Sequence, residues 1–121
     1  KKSFSDYLIY NIKKNKKIKL PYNIYFSPII INELVKIIYK IAVLKIYGTY
    51  NLGSSSGICK YDFGILITKL FKYNSKLIIP YKSDIKKLKR PCGTILNVKK
   101  IEKKLNMKLP SINESIQMLK K

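Results

Sequence analysis

At 121 residues the chain is long enough for one domain at most, and its 46% hydrophobic content allows a modest core, which excludes a disordered basic tail. The formal net charge of +20 makes nucleic acid or an anionic membrane surface the first partners to consider. The sequence contains no histidine, which excludes Ser-His and Cys-His nucleophilic systems and most zinc sites.

The first half of the chain predicts two helices. Ser3 and Asp6 have the spacing of a capping box, and apolar residues recur every four positions after them, so we expect a helix over about residues 4–15. Short extended segments follow. The second helix is the strongest in the chain, with Ser27 predicted as its cap and Pro28 at its first position. Its predicted apolar stripe consists of Ile30, Ile31, Leu34, Ile38 and Ile41.

The middle of the chain predicts a strand, a loop and a third helix. Residues 49–52 are rich in β-forming side chains and predict a strand. The loop after them contains Gly53 and Gly57 but lacks the spacing of a dinucleotide-binding or Walker phosphate loop, so we interpret it as a connection. The amphipathic segment "CKYDFGILITKLFKYN" predicts the third helix.

The last third of the chain predicts two short strands and two helices. One strand ends at Pro80, and another is expected over residues 94–96. Asn97 is predicted to cap the fourth helix, and Ser111 with Glu114 forms a capping box for the last one. The chain is therefore predicted to be of mixed α/β class, with about five helices and short strands. Strands this short need a larger sheet to pair with.

The positive charge is carried almost entirely by lysine. Of the 26 basic residues only Arg90 is an arginine, whereas proteins that bind nucleic acid usually rely on arginine for bidentate contacts. The lysines are scattered along the chain wherever a solvated face is expected. We therefore expect nucleic acid not to be the physiological partner, and a small basic nucleic-acid-binding protein is kept as an alternative.

The two cysteines bear on the redox compartment of the protein, and the most apolar segment bears on whether it spans a membrane. Cys59 and Cys92 are far apart and have no metal-ligand spacing, so we expect reduced thiols and a cytoplasmic protein. The most apolar window, "IIINELVKIIYKIAVLKIYG", is interrupted by charged residues. We therefore predict no membrane-spanning segment.

Three segments, taken in order, resemble the C-terminal part of dTDP-4-dehydrorhamnose reductases, which are extended short-chain dehydrogenases/reductases. They are "FSPIIINELVKIIYKI", "GTYNLGSSSGICKYDFGILITKLF" and "LIIPYKSDIKKLKRPCGTILNVKKIEKKLNMKLPSINESIQMLKK". In that family a serine-proline pair opens a helix, a glycine-tyrosine strand precedes a helix like "CKYDF", and an Arg-Pro pair leads to a strand and two helices. The sequence departs from the family at Cys59, where a serine cap is frequent, and at Ile30, where threonine is common.

The resemblance implies the C-terminal substrate-binding portion of an extended Rossmann-type reductase, with residues 1–121 as a single partial domain. The family's glycine-rich dinucleotide fingerprint, and its Tyr-x-x-x-Lys pair with a matching upstream region, lie N-terminal to the matching segments. We therefore expect the N-terminal dinucleotide-binding half to be absent from this chain. The resemblance implies NADP or NAD in the complete enzyme and none bound by this part alone. A homodimer is left open.

The resemblance also implies a function. The complete enzyme would transfer a hydride from NAD(P)H to the 4-keto group of a dTDP-6-deoxy sugar, in the synthesis of dTDP-rhamnose for cell-surface polysaccharide. This part would hold the dTDP- or UDP-sugar and would be inactive alone. Two alternatives are a fragment of a sugar-nucleotide epimerase and a non-catalytic relative that regulates a partner enzyme.

Arg90 and Lys82 are the predicted substrate-binding residues. In the family an arginine in this region commonly contacts the diphosphate of the nucleotide sugar, and the matching residue here is Arg90. A diphosphate is best bound by a planar, permanently charged group that donates two hydrogen bonds, whereas a lysine supplies a point charge. The alternative is that Arg90 is a surface cation before the turn at Pro91.

Other candidates have simpler structural interpretations. Lys82, Lys86, Lys87 and Lys89 could line the same anionic site or form a solvated face. Tyr22 and Tyr25 could stack on a base or pack in the ordinary way. The acidic residues Glu33, Asp62 and Glu114 are interpreted as first-turn residues of helices and not as metal ligands or acid–base groups. We predict no catalytic residue and no metal site.

Overall fold

The computed structural model describes residues 3–87 and 91–119, which fold as two compact units. The first unit takes its described residues from Lys1–Tyr25 and Ile58–Gly93, and the second takes them from Phe26–Gly57 and Thr94–Leu119. The assignment of residues 1–121 to a single partial domain stays a prediction.

The described residues contain five α-helices and five short strands, in agreement with the predicted α/β class. The helices are α1 (Phe4–Lys13), α2 (Ile31–Val43), α3 (Lys60–Leu70), α4 (Lys99–Leu105) and α5 (Ile112–Met118). The strands are β1 (Ile18–Pro21), β2 (Tyr25–Phe26), β3 (Ile58–Cys59), β4 (Ile78–Tyr81) and β5 (Gly93–Thr94), and 3-10 turns span Ser75–Leu77 and Ile85–Lys87. None of the described helices is both long and apolar enough to cross a membrane.

Helix α1 begins where the sequence predicted. The Ser3 hydroxyl accepts a hydrogen bond from the Asp6 amide at 3.1 Å, and the Asp6 carboxylate accepts one from the Ser3 amide at 3.2 Å. These two bonds satisfy amide groups that have no partner within the helix. Leu8 and Ile12, which lie one turn apart, are buried. The local signal and the burial pattern therefore agree.

The core of the first unit is a pair of parallel strands covered by helices. Strand β1 pairs with β4 so that Ile18 lies opposite Ile78 and Pro21 lies opposite Tyr81. Helix α3 packs on both strands, and Gly64 permits its close approach because a Cβ atom there would lie 2.5 Å from Leu20 Cδ1. The other three strands form a small sheet in the order β3-β2-β5.

Helix α2 begins later than the sequence predicted. It starts at Ile31 and its cap residue, Ile30, makes no side-chain capping bond. The predicted cap, Ser27, instead accepts a hydrogen bond from the Leu96 amide at 3.1 Å. The predicted apolar stripe is also wrong in part. Ile37 is the buried residue of α2, whereas Ile31 and Ile38 are exposed.

The core of the second unit is a cluster around α2 and α4. Its buried members are Ile37, Val98, Ile101, Leu105 and Leu109. The strand predicted over residues 49–52 is not formed, since Tyr50 and Leu52 pack against this cluster instead. The strand predicted over 94–96 is reduced to Thr94, because the Leu96 amide is bonded to Ser27.

The C-terminal helices follow the predicted caps with one shift. Helix α4 begins at Lys99, and Asn97 lies one residue before its cap position, although the Asn97 side chain accepts a hydrogen bond from the Lys99 amide at 3.1 Å. The α5 capping box is confirmed. The Ser111 hydroxyl accepts from the Glu114 amide at 3.3 Å, and the Glu114 carboxylate accepts from the Ser111 amide at 2.7 Å.

Candidate functional site

The carboxyl ends of β1 and β4 meet at one edge of the first unit, because the two strands are parallel. Just beyond this edge the Tyr22 amide donates a hydrogen bond to the Tyr81 carbonyl at 3.1 Å. In α/β proteins ligands bind preferentially outside the carboxyl ends of parallel strands. Polar and aromatic residues follow both strands here, so this edge is the candidate site.

Asn23 fixes the segment that leaves β4. Its side-chain amide donates to the Ser83 carbonyl at 2.9 Å, and its side-chain oxygen accepts from the Ser83 amide at 2.8 Å. The two residues lie 60 positions apart in the sequence. Sequence reasoning missed Asn23 because nothing local marks a partner at that distance. The paired bonds hold the residues after β4 against the residues after β1.

Lys82 lies in this fixed segment and is exposed. It lines a shallow cleft whose other residues are Ser83, Asp84, Ile85 and Lys86. Lysines exposed on a cleft can attract a phosphate as point charges, without the geometric selectivity of a guanidinium. The structure therefore brings two of the predicted cations, Lys82 and Lys86, to one cleft at the candidate edge.

Asp84 lowers the positive charge of this cleft. Its carboxylate accepts a hydrogen bond from the Lys86 amide at 3.1 Å and lies 3.7 Å from the Lys87 ammonium group. Lys87 and Asp84 are both largely exposed, so the ion pair contributes little to stability. Asp84 itself lines the cleft, so its negative charge partly offsets those of Lys82 and Lys86.

Arg90 and Lys89 lie outside the described residues. The described chain resumes at Pro91, and the carbonyl of Cys92 accepts a hydrogen bond from the Tyr25 amide at 2.8 Å. The segment after Arg90 in the sequence is thus tied to the residues that follow β1. Whether Arg90 joins Lys82 stays a prediction.

Three exposed tyrosines lie at or just after the ends of β1 and β4. Tyr22 follows β1, Tyr25 begins β2, and Tyr81 ends β4. All three side chains are more than one-third exposed. Exposed aromatic rings beside cations are a suitable surface for a nucleotide base, whose π-face stacks on them regardless of base identity.

Cys59 caps helix α3. Its sulfur accepts a hydrogen bond from the Asp62 amide at 3.3 Å, and its thiol donates to the Asp62 carboxylate at 3.1 Å. The thiol therefore replaces the hydroxyl of a serine cap at the start of α3. Burial raises the pKa of Cys59 above its ordinary value, so the thiol stays protonated and unreactive near neutral pH.

The predicted acidic residues lie in the first turns of helices, as expected. Glu33 lies in the first turn of α2, Asp62 in that of α3 and Glu114 in that of α5. Glu33 also accepts from Lys36 at 2.7 Å. Across residues 3–87 and 91–119, no group of three or more Cys, Asp or Glu side chains could hold a metal ion.

A Tyr-x-x-x-Lys spacing does occur at the end of α1, where Tyr10 lies in the last turn and Lys14 is the C-cap residue. The Lys14 ammonium group donates to the Tyr10 hydroxyl at 2.7 Å and lies 4.4 Å from the centre of its ring. Side chains four residues apart on a helix are ordinary neighbours. The pair is exposed on the helix surface, so its spacing alone does not indicate catalysis.

Gly53 and Gly57 do not fit a dinucleotide cradle. A Cβ atom at Gly53 would lie 3.1 Å from the Ser27 carbonyl oxygen, and one at Gly57 would overlap the Ile95 side chain. Both glycines are therefore explained by packing inside the second unit. In a dinucleotide loop they would instead leave room for the pyrophosphate. The loop is a connection, as the sequence predicted.

No protein-family model matches the chain, and no curated protein matches it in sequence. Solved structures match it in fold. The dTDP-4-dehydrorhamnose reductase from Bacillus anthracis, solved in complex with NADP, has a TM-score of 0.85 and 20% identity, over 98% of this chain and 42% of the reductase. The reductase from Yersinia enterocolitica has a TM-score of 0.82 and 21% identity, over 99% of this chain and 43% of its own.

A sugar-nucleotide enzyme of another activity is similar as well. The UDP-N-acetylglucosamine 4-epimerase from Bacillus cereus has a TM-score of 0.71 and 14% identity, over 98% of this chain and 39% of the epimerase. The chain thus spans less than half the length of the proteins that it resembles. The predicted likeness to dTDP-4-dehydrorhamnose reductases is confirmed at the level of the fold, because the chain has the fold of the matched part of these solved structures.

Proposed function

We propose that this chain is the part of a dTDP-4-dehydrorhamnose reductase-like enzyme that holds the nucleotide sugar. The observation that carries the proposal is the likeness to solved reductases over almost the whole chain, at TM-scores of 0.85 and 0.82. The epimerase reaches only 0.71 over the same share of the chain, which favours the reductase over the epimerase alternative. Folds host many activities, so the ligand must be argued from the site.

The proposed ligand is a dTDP- or UDP-sugar whose diphosphate lies at the edge formed by β1 and β4. Lys82 would attract the diphosphate, and Arg90 would bind it with two parallel hydrogen bonds. The exposed tyrosines after β1 would face the base. Support comes from the parallel strand ends, from the Asn23–Ser83 bonds that fix the segment, and from the two lysines on one cleft.

In the proposed complete enzyme, NADP or NAD would supply the hydride that reduces a 4-keto-6-deoxy sugar, as a step toward dTDP-rhamnose and cell-surface polysaccharide. The Bacillus anthracis reductase was solved with NADP, which supports that cofactor. The residues of this chain would bind and orient the sugar nucleotide and would not carry the reduction. The free thiols Cys59 and Cys92 support a reducing, cytoplasmic setting as part of this proposal.

The first test is calorimetric titration of the protein with dTDP and with thymidine. We expect binding of dTDP, because the diphosphate supplies the charge, and no binding of thymidine. Arg90→Ala should lose a charge-assisted contact of about 1.5–3 kcal/mol, which is roughly ten- to a hundredfold in affinity. Arg90→Lys should recover part of this loss, since it keeps the charge but not the planar fork.

Lys104→Ala is the matched control, because it removes one exposed cation from α4 in the other unit. Equal affinity for dTDP in Arg90→Ala and in the parent protein, with the fold intact, would contradict the proposed site. If dTDP fails to bind and an oligonucleotide binds with an affinity that falls steeply with salt, the nucleic-acid alternative replaces the proposal.

A second test is enzymatic. The purified protein should not oxidise NADPH or NADH with a 4-keto sugar nucleotide, because Gly53 and Gly57 do not form a dinucleotide cradle and the Tyr10–Lys14 pair is explained by helix geometry. The measurement is the absorbance of the reduced nicotinamide over time. Turnover by the 121-residue protein would contradict the proposal that this chain binds the nucleotide sugar without carrying out the reduction.

A further inference from the structure

Helix α4 divides its residues into a buried side and a lysine side. Ile101, Glu102 and Leu105 form the buried side. The exposed side consists of four lysines, Lys99, Lys100, Lys103 and Lys104. At about 100° per residue these lysines fall within an arc of roughly 140°, with no other residue type between them. We call these four residues the lysine face of α4.

The lysine face is not neutralised by acidic side chains. The one acidic residue of α4 is Glu102, which is 7% exposed. Its carboxylate accepts a hydrogen bond from the Leu109 amide at 2.9 Å and lies 3.5 Å from the Lys108 ammonium group. The Lys100 ammonium group donates to the Thr49 carbonyl at 3.2 Å. Three lysines of the face form no ion pair with any described residue, namely Lys99, Lys103 and Lys104.

Helix stability does not explain the lysine face. Lys99 and Lys100 are the first two residues of α4, where the positive end of the helix dipole disfavours cations. The other two lysines follow four residues later, and like charges at this spacing repel each other. A face selected only for solvation gains from both signs of charge, as in α2, where Lys36 pairs with Glu33 at 2.7 Å. The lysine face therefore indicates an anionic partner.

Exposed apolar side chains border the lysine face. Ile95 and Leu96 lie just before α4 in the chain and are 54% and 37% exposed. Leu96 and Lys99 line the same shallow cleft, so an apolar side chain and the lysine face are neighbours in space. Cations beside exposed aliphatic side chains are typical of helices that lie on a membrane surface.

We propose that the lysine face of α4 binds a membrane surface that contains anionic lipids, with Ile95 and Leu96 entering the headgroup layer. A cluster of lysines on an amphipathic helix attracts anionic headgroups, and each lysine at the surface strengthens binding roughly fivefold. The net charge of +20 adds a general attraction to the same surface. This inference does not depend on the ligand proposed for Lys82 and Arg90.

Nucleic acid fits these residues less well than a lipid surface does. Residues 95–108 contain no arginine and no aromatic residue, so that segment supplies neither bidentate contacts nor base stacking. Ile95 and Leu96 gain nothing from a phosphate backbone, whereas a membrane removes such side chains from water. Lipid headgroups can also move to meet separate point charges, which is the kind of charge that a lysine carries.

The test is co-sedimentation of the full-length protein with vesicles, made either of phosphatidylcholine alone or of phosphatidylcholine and phosphatidylglycerol in equal amounts. We expect binding to the anionic vesicles only, with an affinity that falls as salt is added. The first variant carries Lys99→Gln, Lys103→Gln and Lys104→Gln. It should bind the anionic vesicles at least about tenfold more weakly, because it loses three surface cations of roughly fivefold each.

The matched control carries Lys16→Gln, Lys45→Gln and Lys69→Gln. It removes the same charge from three exposed positions outside α4 and should lose less than about twofold in affinity, because charges distant from the contact are screened. Ile95→Ser keeps every charge and should weaken vesicle binding severalfold, since it removes an apolar side chain from the headgroup layer. Circular dichroism checks that each variant keeps the parent fold.

Four outcomes overturn the inference. The first two are equal binding to neutral and anionic vesicles, and equal losses in the two triple variants. The third is displacement from vesicles by inorganic phosphate but not by sodium chloride of the same ionic strength, which would indicate a site for free phosphate. The fourth is a first variant that loses affinity for a single-stranded oligonucleotide but keeps its affinity for vesicles.

Binding of dTDP separates this inference from the proposed function. Both triple variants should bind dTDP as the parent does, because they keep Lys82 and Arg90. If no protein of the set binds dTDP, the proposed function fails, and the vesicle measurements still decide whether α4 binds a membrane.

Discussion

The two compact units differ in how completely they cover their own helices. In the first unit Leu8 and Ile12 of α1 and Ile67 of α3 are almost fully buried, and both helices pack on the β1–β4 pair. In the second unit α2 is longer than either, yet Ile37 is its one residue classed as buried. The chain therefore buries the apolar residues of α1 and α3 in the first unit more completely than it buries those of α2 in the second.

The largest expected effect is a difference in stability between substitutions of a buried and of an exposed residue of α2. Ile37→Ala removes a side chain that is 2% exposed and should cost about 2–5 kcal/mol of unfolding free energy, because it leaves a cavity in the cluster. Ile38→Ala, one residue later, should change stability by less than about 0.5 kcal/mol. Urea denaturation followed by circular dichroism measures both. Equal losses of unfolding free energy in Ile37→Ala and Ile38→Ala would mean that Ile38 is as well covered as Ile37 in the isolated protein.

The next effect concerns the tight packing of the first unit. Gly64→Ala gains helix propensity but places a Cβ atom 2.5 Å from Leu20 Cδ1, and Leu20 is itself buried. Overpacking of this kind costs about 1–3 kcal/mol, against a propensity gain of about 1 kcal/mol, so we expect a net loss of about 1 kcal/mol. Gly93→Ala is the control, since no atom lies within 4 Å of its added Cβ. A Gly64→Ala protein more stable than the parent in the same urea experiment would refute close packing between α3 and β1.

Local signals predicted the fold better than distant ones. The capping boxes at Ser3 and Ser111 were predicted correctly, because all their atoms lie within four residues. The cap predicted at Ser27 was wrong, since its hydroxyl bonds to the Leu96 amide 69 residues away. The strand predicted over residues 49–52 was wrong because packing against the cluster of the second unit outweighed β propensity.

At the candidate site, too, local features could be predicted from the sequence and long-range contacts could not. Lys82 could be proposed from the sequence because a cation in a polar segment is visible there. The Asn23–Ser83 bonds could not be predicted, because they depend on the parallel register of β1 and β4. The apolar stripe predicted for α2 was also wrong in part, because Ile31 and Ile38 are exposed. A periodic pattern marks which residues are apolar, but it does not state which apolar side the rest of the chain will cover.

The smallest expected effect tests the cap of α5, a short helix of the less completely covered unit. Hydrogen bonds from the Ser111 side chain and backbone hold the pKa of Glu114 below its ordinary value of 4.5. A carboxyl whose pKa is lower in the folded protein stabilises the fold above its unfolded pKa, and this contribution is lost as the pH falls through the folded pKa. Glu114→Gln should therefore reduce stability slightly near neutral pH and make the loss of stability below pH 4.5 less steep.

Thermal unfolding of the parent and of Glu114→Gln at a series of pH values measures this difference. Asn113→Ala is the control, because Asn113 is an exposed residue of the same turn and has no titrating group. Its unfolding temperature should fall with pH in parallel with that of the parent, since the capping carboxylate is still present. If Glu114→Gln also follows the parent in parallel, the capping box does not carry the acid sensitivity of α5.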